Sequence, residues 1–138
     1  MANIVLLDAE AVSALAWPTE RRVAARRAQA VLAEAARRNA LVRIPAAVLT
    51  ETYRGSRRDA GIDGIAGRGN RVLALDHRTS RVSGQLLGRD NLDSCHAVDA
   101  TVVATAIRLG GAVVLTGDPD DLRALAAQHR NVVVRSLT

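Results

Sequence analysis

The sequence predicts an α/β fold: a three-layer α/β/α sandwich around a central, mainly parallel sheet. Three observations carry this. Uniformly apolar segments such as Ile4-Val5-Leu6-Leu7 and Ala112-Val113-Val114-Leu115-Thr116 read as strands covered on both faces. Segments with apolar residues at three- and four-residue spacing read as helices. The two kinds alternate along 138 residues, a length that suits a single domain, residues 1–138, with one sizeable core.

Taken in order, the first strand runs from Asn3 to Leu7, and a short helix follows from Ala9 to Ala16 until Trp17-Pro18 interrupts it. A longer helix is expected from Thr19 to Arg38, because Val23, Ala24, Ala28, Val31, Leu32 and Ala35 make one apolar stripe with arginines opposite. Leu41 to Ile44 reads as the second strand. Pro45 suits the first turn of a helix reaching Arg54, which Gly55 stops. Gly61, Gly64, Gly67 and Gly69 make the segment 61–70 a mobile loop or a frayed short helix. As a phosphate cradle it is weak, since no strand leads in and no lysine follows. A third strand is expected over Arg71 to Leu75, then helices over Ser80 to Leu87 and Ala97 to Leu109, the latter ended by Gly110-Gly111. Ala112 to Thr116 is a strand, Pro119 to Gln128 a helix and Asn131 to Arg135 the final strand.

Apolar residues make up 49% of the chain, yet only Trp17 and Tyr53 are aromatic, so the core is aliphatic. That poverty of rings argues against recognition of nucleic acid by base stacking. The net charge is +5 and all 19 basic residues are arginine. A polyanionic partner is compatible with this, and so is a genome biased toward arginine codons; composition decides neither. The arginine pairs 21–22, 26–27 and 37–38 read as a solvated helix face. The lone Cys95 excludes an internal disulfide and a multi-cysteine zinc site. With no membrane-length apolar run and no signal-peptide pattern, a soluble cytoplasmic protein is expected.

Four acids stand where apolar elements begin, end or turn a buried face. Asp8 closes the first strand and Asp118 follows the strand ending at Thr116. Glu51 shares a helical face with Ala47 and Val48, and Asp99 opens the apolar stretch Ala100 to Ile107. Ligands of an open parallel sheet bind at the carboxyl ends of its strands, so these acids can converge on one crevice. Gathered carboxylates repel one another unless a divalent cation neutralises them. Each acid also has a structural reading. Asp8 can cap the following helix, Asp118-Pro119-Asp120-Asp121 is a strong helix start, and Asp99 can complement a helix dipole. Glu51, set mid-helix among apolar neighbours, is the hardest to explain this way.

The strand ending in Asp8, the helical Val48-Leu49-Thr50-Glu51, the segment His96-Ala97-Val98-Asp99-Ala100 and Val113-Val114-Leu115-Thr116-Gly117-Asp118 resemble the PIN domain family. More narrowly they resemble the VapC-type toxin ribonucleases of bacterial toxin–antitoxin pairs. The likeness covers nearly the whole chain in the right order. It implies a metal-dependent endoribonuclease that uses Mg²⁺ or Mn²⁺, with Asp8, Glu51, Asp99 and Asp118 as its acidic quartet. Asp8 and Asp99 would be direct ligands, with Asp118 next; Glu51 would bind a second ion or hold a metal-bound water. Thr116 would orient a carboxylate by hydrogen bonding. An all-carboxylate site suits these hard cations better than zinc, and activated water attacking in line leaves 5′-phosphate and 3′-hydroxyl ends. The family further implies an RNA substrate, a homodimer and an antitoxin partner whose tail plugs the acidic cleft.

Arg54, three residues after Glu51, can pair with a carboxylate or bind substrate phosphate, while Gly55 separates Arg58 from that face. His96 departs from the acid that often stands in this neighbourhood of the family, and is read as a surface histidine. Asp121 is read as part of the helix cap rather than as an extra ligand. Cys95 is not a thiol nucleophile, since no third group orients it. A receiver domain or a haloacid-dehalogenase-like phosphatase would need a lysine, and the chain has none. The non-enzymatic alternative is a catalytically silent PIN-like module that binds RNA or protein.

Overall fold

The computed structural model describes residues 3–138. The elements in chain order are β1 (Ile4–Leu7), α1 (Ala9–Ala16), α2 (Arg22–Arg37), β2 (Leu41–Pro45), α3 (Ala46–Thr52), α4 (Asp59–Ala66), β3 (Val72–Leu73), α5 (His77–Arg89), a 3₁₀ turn (Ser94–His96), α6 (Ala97–Arg108), β4 (Ala112–Thr116), α7 (Pro119–Ala126) and β5 (Val132–Ser136). The strands form one five-stranded sheet in the order β3-β2-β1-β4-β5, and every pairing is parallel. α1 packs against α2, α3 and α4, while α6 packs against α5 and α7. The chain winds one way from β1 to β3 and the other way from β4 to β5, so connections of the usual right hand put these two groups on opposite faces of the sheet, as the expected three layers require.

The central strands explain themselves. Leu6, Leu7, Val114 and Leu115 are buried, as strands sandwiched between helices require. α6 is buried on almost every side from Ala100 to Ala106, and its small side chains let it sit close to the sheet and to α5. No helix of the described residues is long and apolar enough to cross a membrane.

Several boundaries differ from the sequence reading, each for a local reason. α2 starts at Arg22 rather than Thr19, because residues 17–20 close a turn in which the Glu20 amide donates to the Trp17 carbonyl. Pro45 ends β2 and caps α3 instead of opening it. α5 begins at His77, three residues early, because Asp76 accepts from the Thr79 amide at 2.8 Å. The glycine-rich segment contains a true helix, α4, over Asp59–Ala66. Buried Ile62 and Ala66 anchor it, and Gly61 lies so close to α1 that a Cβ there would stand 2.8 Å from the Ala16 carbonyl oxygen. Each helical glycine costs about 1 kcal/mol, and tertiary packing overrides that propensity here. Trp17 completes this junction. Its ring nitrogen donates to the Arg58 carbonyl at 3.1 Å, and the Arg58 guanidinium lies 4.3 Å over the ring while pairing with Glu20.

Candidate active site

In the sheet order, the direction of winding reverses between β1 and β4, so the carboxyl ends of these neighbours form a crevice. Leu7 pairs with Leu115, and the Asp8 amide donates to the Leu115 carbonyl at 3.2 Å. This register places Asp8 beside Thr116, one residue past each central strand position.

The four acids singled out in the sequence do line one cleft. It measures about 190 Å³, and its walls are Asp8, Ala9, Glu10, Glu51, Cys95, Val98, Asp99, Val102 and Asp118. Asp8 caps α1, where its Oδ1 accepts from the Ala11 amide at 2.9 Å, yet it also faces the cleft. The capping and cleft roles are therefore not alternatives for this residue. Asp118 stands at the cap position of α7 but makes no side-chain capping bond, so its carboxylate is not consumed by the helix. Asp99 lies in the first turn of α6 and is half-buried. Glu51 differs from the sequence reading: α3 stops at Thr52, so Glu51 is next to last in a short helix, and it is exposed rather than set among apolar neighbours.

Thr116 is fully buried and joins two of these acids. Its Oγ1 accepts the Asp118 amide at 2.9 Å, and its hydroxyl beside Asp8 favours the charged form of that carboxyl. Arg54 does not line the cleft. Its guanidinium donates to the Thr50 carbonyl at 3.1 Å and the Tyr53 carbonyl at 2.6 Å, at the end of α3.

One wall residue, Glu10, was not singled out in the sequence, and two neighbours of the site, Asp121 and His96, were discounted. Glu10 lines the cleft from the first turn of α1 and is paired with Arg21. It sits over Gly117, where a Cβ would come within 2.9 Å of the Glu10 Cβ, so residue 117 has room only for glycine. The signal was present, since Glu10 lies two residues after a strand-ending acid. Asp121, expected merely to cap, lies in the first turn of α7 and turns back toward the 3₁₀ turn. His96, expected at the surface, is half-buried, with its Nδ1 3.9 Å from the Asp121 carboxylate. Cys95 also lines the cleft, and hydrogen bonding to Asp93, then desolvation and the Asp93 charge, raise its thiol pKa, while its amide donates to Asp93 at 3.0 Å.

The electrostatics follow from burial and like charge. Burial pushes the Asp8 carboxyl up to about 7, helped by the charges of Glu10 and Asp99 and opposed by the Thr116 and Ala11 hydrogen bonds. Asp99 rises to about 6, through burial first and then through Glu51, Asp121 and Asp118, with His96 pulling the other way. Asp118 is raised too, by desolvation and then by Asp121, Asp120 and Glu10. Five of the wall residues are acids and none is basic, so nothing in the cleft wall offsets this repulsion. Hard oxygen donors gathered without a counter-charge fit a divalent cation such as Mg²⁺ or Mn²⁺. Asp8, Glu51, Asp99 and Asp118 all line this cleft and are the residues that could hold it.

Comparison with known proteins agrees with this architecture. The fold is similar to that of VapBC2 from Rickettsia felis, solved bound to a DNA fragment from their promoter, with a TM-score of 0.69 at 15% identity over 96% of this chain and 98% of that one. It is similar as well to VapBC-1 from nontypeable Haemophilus influenzae, with a TM-score of 0.62 at 15% identity over 97% and 98% of the two chains. No curated protein matches. The family model of the PIN domain matches residues 5–128, which include all four acids, and the chain belongs to the PIN domain family.

Proposed function

We propose that this protein is a metal-dependent endoribonuclease and the toxin of a toxin–antitoxin pair of the VapC type. The observation that carries the reading is the convergence of Asp8, Glu51, Asp99 and Asp118 on one cleft whose wall offers no cation of its own. The family membership and the likeness to two VapBC structures support it.

In this reading Asp8 and Asp99 would be the principal ligands of Mg²⁺ or Mn²⁺ and Asp118 the third, and Glu51 would bind a second ion or hold a metal-bound water. When bound, such an ion would supply a water of lowered pKa and a positive charge against the phosphodiester. Thr116 fixes the Asp8 carboxylate and the Asp118 backbone relative to each other, a positioning role. Val98 and Val102, on either side of Asp99, form an apolar strip that limits water around the carboxylates. Hydrolysis by in-line attack leaves 5′-phosphate and 3′-hydroxyl ends. The toxin assignment brings with it an antitoxin partner covering the acidic cleft and a homodimer, both by family analogy.

The test is cleavage of a structured RNA pool in Mg²⁺, Mn²⁺ or EDTA, with Asp8→Asn and Asp99→Asn as controls. Cuts that require metal, carry 5′-phosphates and vanish in both variants support the reading. Cuts that persist in EDTA or in both variants contradict it.

A further inference from the structure

We propose that His96 is a nitrogen ligand at the acidic cleft, forming with Asp99 and Asp121 a mixed site that favours divalent transition-metal ions over Mg²⁺. This rests on the metal-dependent reading above and adds to it which ion the site prefers. The three side chains come from two separate parts of the chain. His96 closes the 3₁₀ turn that leads into α6, and Asp99 follows one turn later on the same side. Asp121 arrives from the first turn of α7. One donor atom from each lies within 4.8 Å of the other two. The His96 Nδ1 and the Asp121 Oδ2 are 3.9 Å apart, too far for a hydrogen bond. Two donors sharing one ion at about 2.1 Å stand roughly 3–4 Å apart, close to this spacing.

The chemistry of the donors then sets the preference. Mg²⁺ favours oxygen and gives up its waters reluctantly, so a ring nitrogen adds little to its binding. Imidazole is the commonest side-chain ligand of transition metals, and affinity for it climbs from Mn²⁺ toward Cu²⁺. A purely carboxylate cleft would hold Mg²⁺ and Mn²⁺ similarly. His96 is half-buried and reaches the cleft only through Asp99, the one wall residue within its group, and there it adds a donor that only the transition ions exploit.

The experiment is calorimetric titration of the metal-free protein with Co²⁺ and with Mg²⁺, for the wild type, His96→Asn and Asp99→Asn, with thermal melts to verify folding. The expected result is a loss of about tenfold or more in Co²⁺ affinity for His96→Asn with Mg²⁺ affinity within about twofold, and loss of both ions in Asp99→Asn. A second measurement needs no variant. In nitrogen-15 spectra of the histidine rings during Zn²⁺ addition, His96 should show the shift of a metal-bound ring nitrogen while His77 and His129 stay fixed. If Co²⁺ affinity is unchanged in His96→Asn, or both ions weaken equally, the inference fails while the carboxylate centre stands. A wild-type protein that binds neither ion would overturn both.

Discussion

The Thr116 Oγ1 accepts the Asp118 amide at 2.9 Å from a register position beside Asp8, so one buried hydroxyl stands between the ends of β1 and β4. Its effect on Asp8 is to favour the charged form against burial. Thr116→Val should therefore weaken Mn²⁺ binding by roughly 10- to 100-fold and destabilise the fold by about 1–2 kcal/mol. Thr116→Ser should recover most of the binding. Calorimetric titration of the three proteins checks both statements.

Asp8→Asn should separate stability from metal binding. Asn retains an oxygen to accept from Ala11 and removes a carboxylate whose charged form burial disfavours. At pH 8 without metal, the melting temperature of the variant should equal or exceed that of the wild type. In saturating Mn²⁺ the order should reverse, because only the wild type gains from binding. Paired thermal melts measure this.

The stability of the metal-free protein should fall as pH rises from about 4 to about 7. Asp8 titrates near 7 and Asp99 near 6 in the folded chain, against 3.8 for each as the ordinary value. Between these limits the folded state holds more protons than the unfolded state, so the slope of unfolding free energy with pH is negative. The penalty is absent below about 4, where both states are protonated, and complete above about 7. Carboxylates lowered by their partners, such as Glu34 beside Arg37 and Asp76 at its helix cap, act oppositely and only at more acidic pH. Urea titrations at pH 5 and 8 should show higher stability at pH 5, and saturating Mn²⁺ should erase or reverse the difference.

Gly61→Ala should destabilise the fold although alanine is the better helix former. The new Cβ meets the Ala16 carbonyl oxygen at 2.8 Å and the Trp17 ring nitrogen at 3.1 Å, so α1 and α4 must part. A loss of about 1–3 kcal/mol is expected. Gly64→Ala, with nothing within 4 Å, should be neutral or stabilising, and urea midpoints of the two variants compare them directly.

The contrast between these glycines shows where the sequence was legible. Strand positions announced themselves because β1 and β4 are covered on both faces and carry unbroken apolar runs. Asp8 and Asp118 were readable because they end those runs. α4 was legible only as one of two alternatives, a loop or a frayed short helix, because its stability comes from contact with Ala16 and Trp17, some forty residues away, against its own local propensity. Glu51 was found, but its surroundings were misjudged because where α3 stops is set by packing. His96 and Asp121 meet only through the placement of the 3₁₀ turn against α7, a relation no local spacing encodes.

The most direct measurement is anomalous diffraction from crystals soaked in Mn²⁺. A peak at the Asp99 carboxylate, bonded also to Asp8 or Asp118 of the cleft wall and, by the further inference, to His96 and Asp121, is the predicted result. At saturating Mn²⁺, a cleft without a peak, or an ion bound only elsewhere on the protein, would contradict the metal centre and the nuclease built upon it.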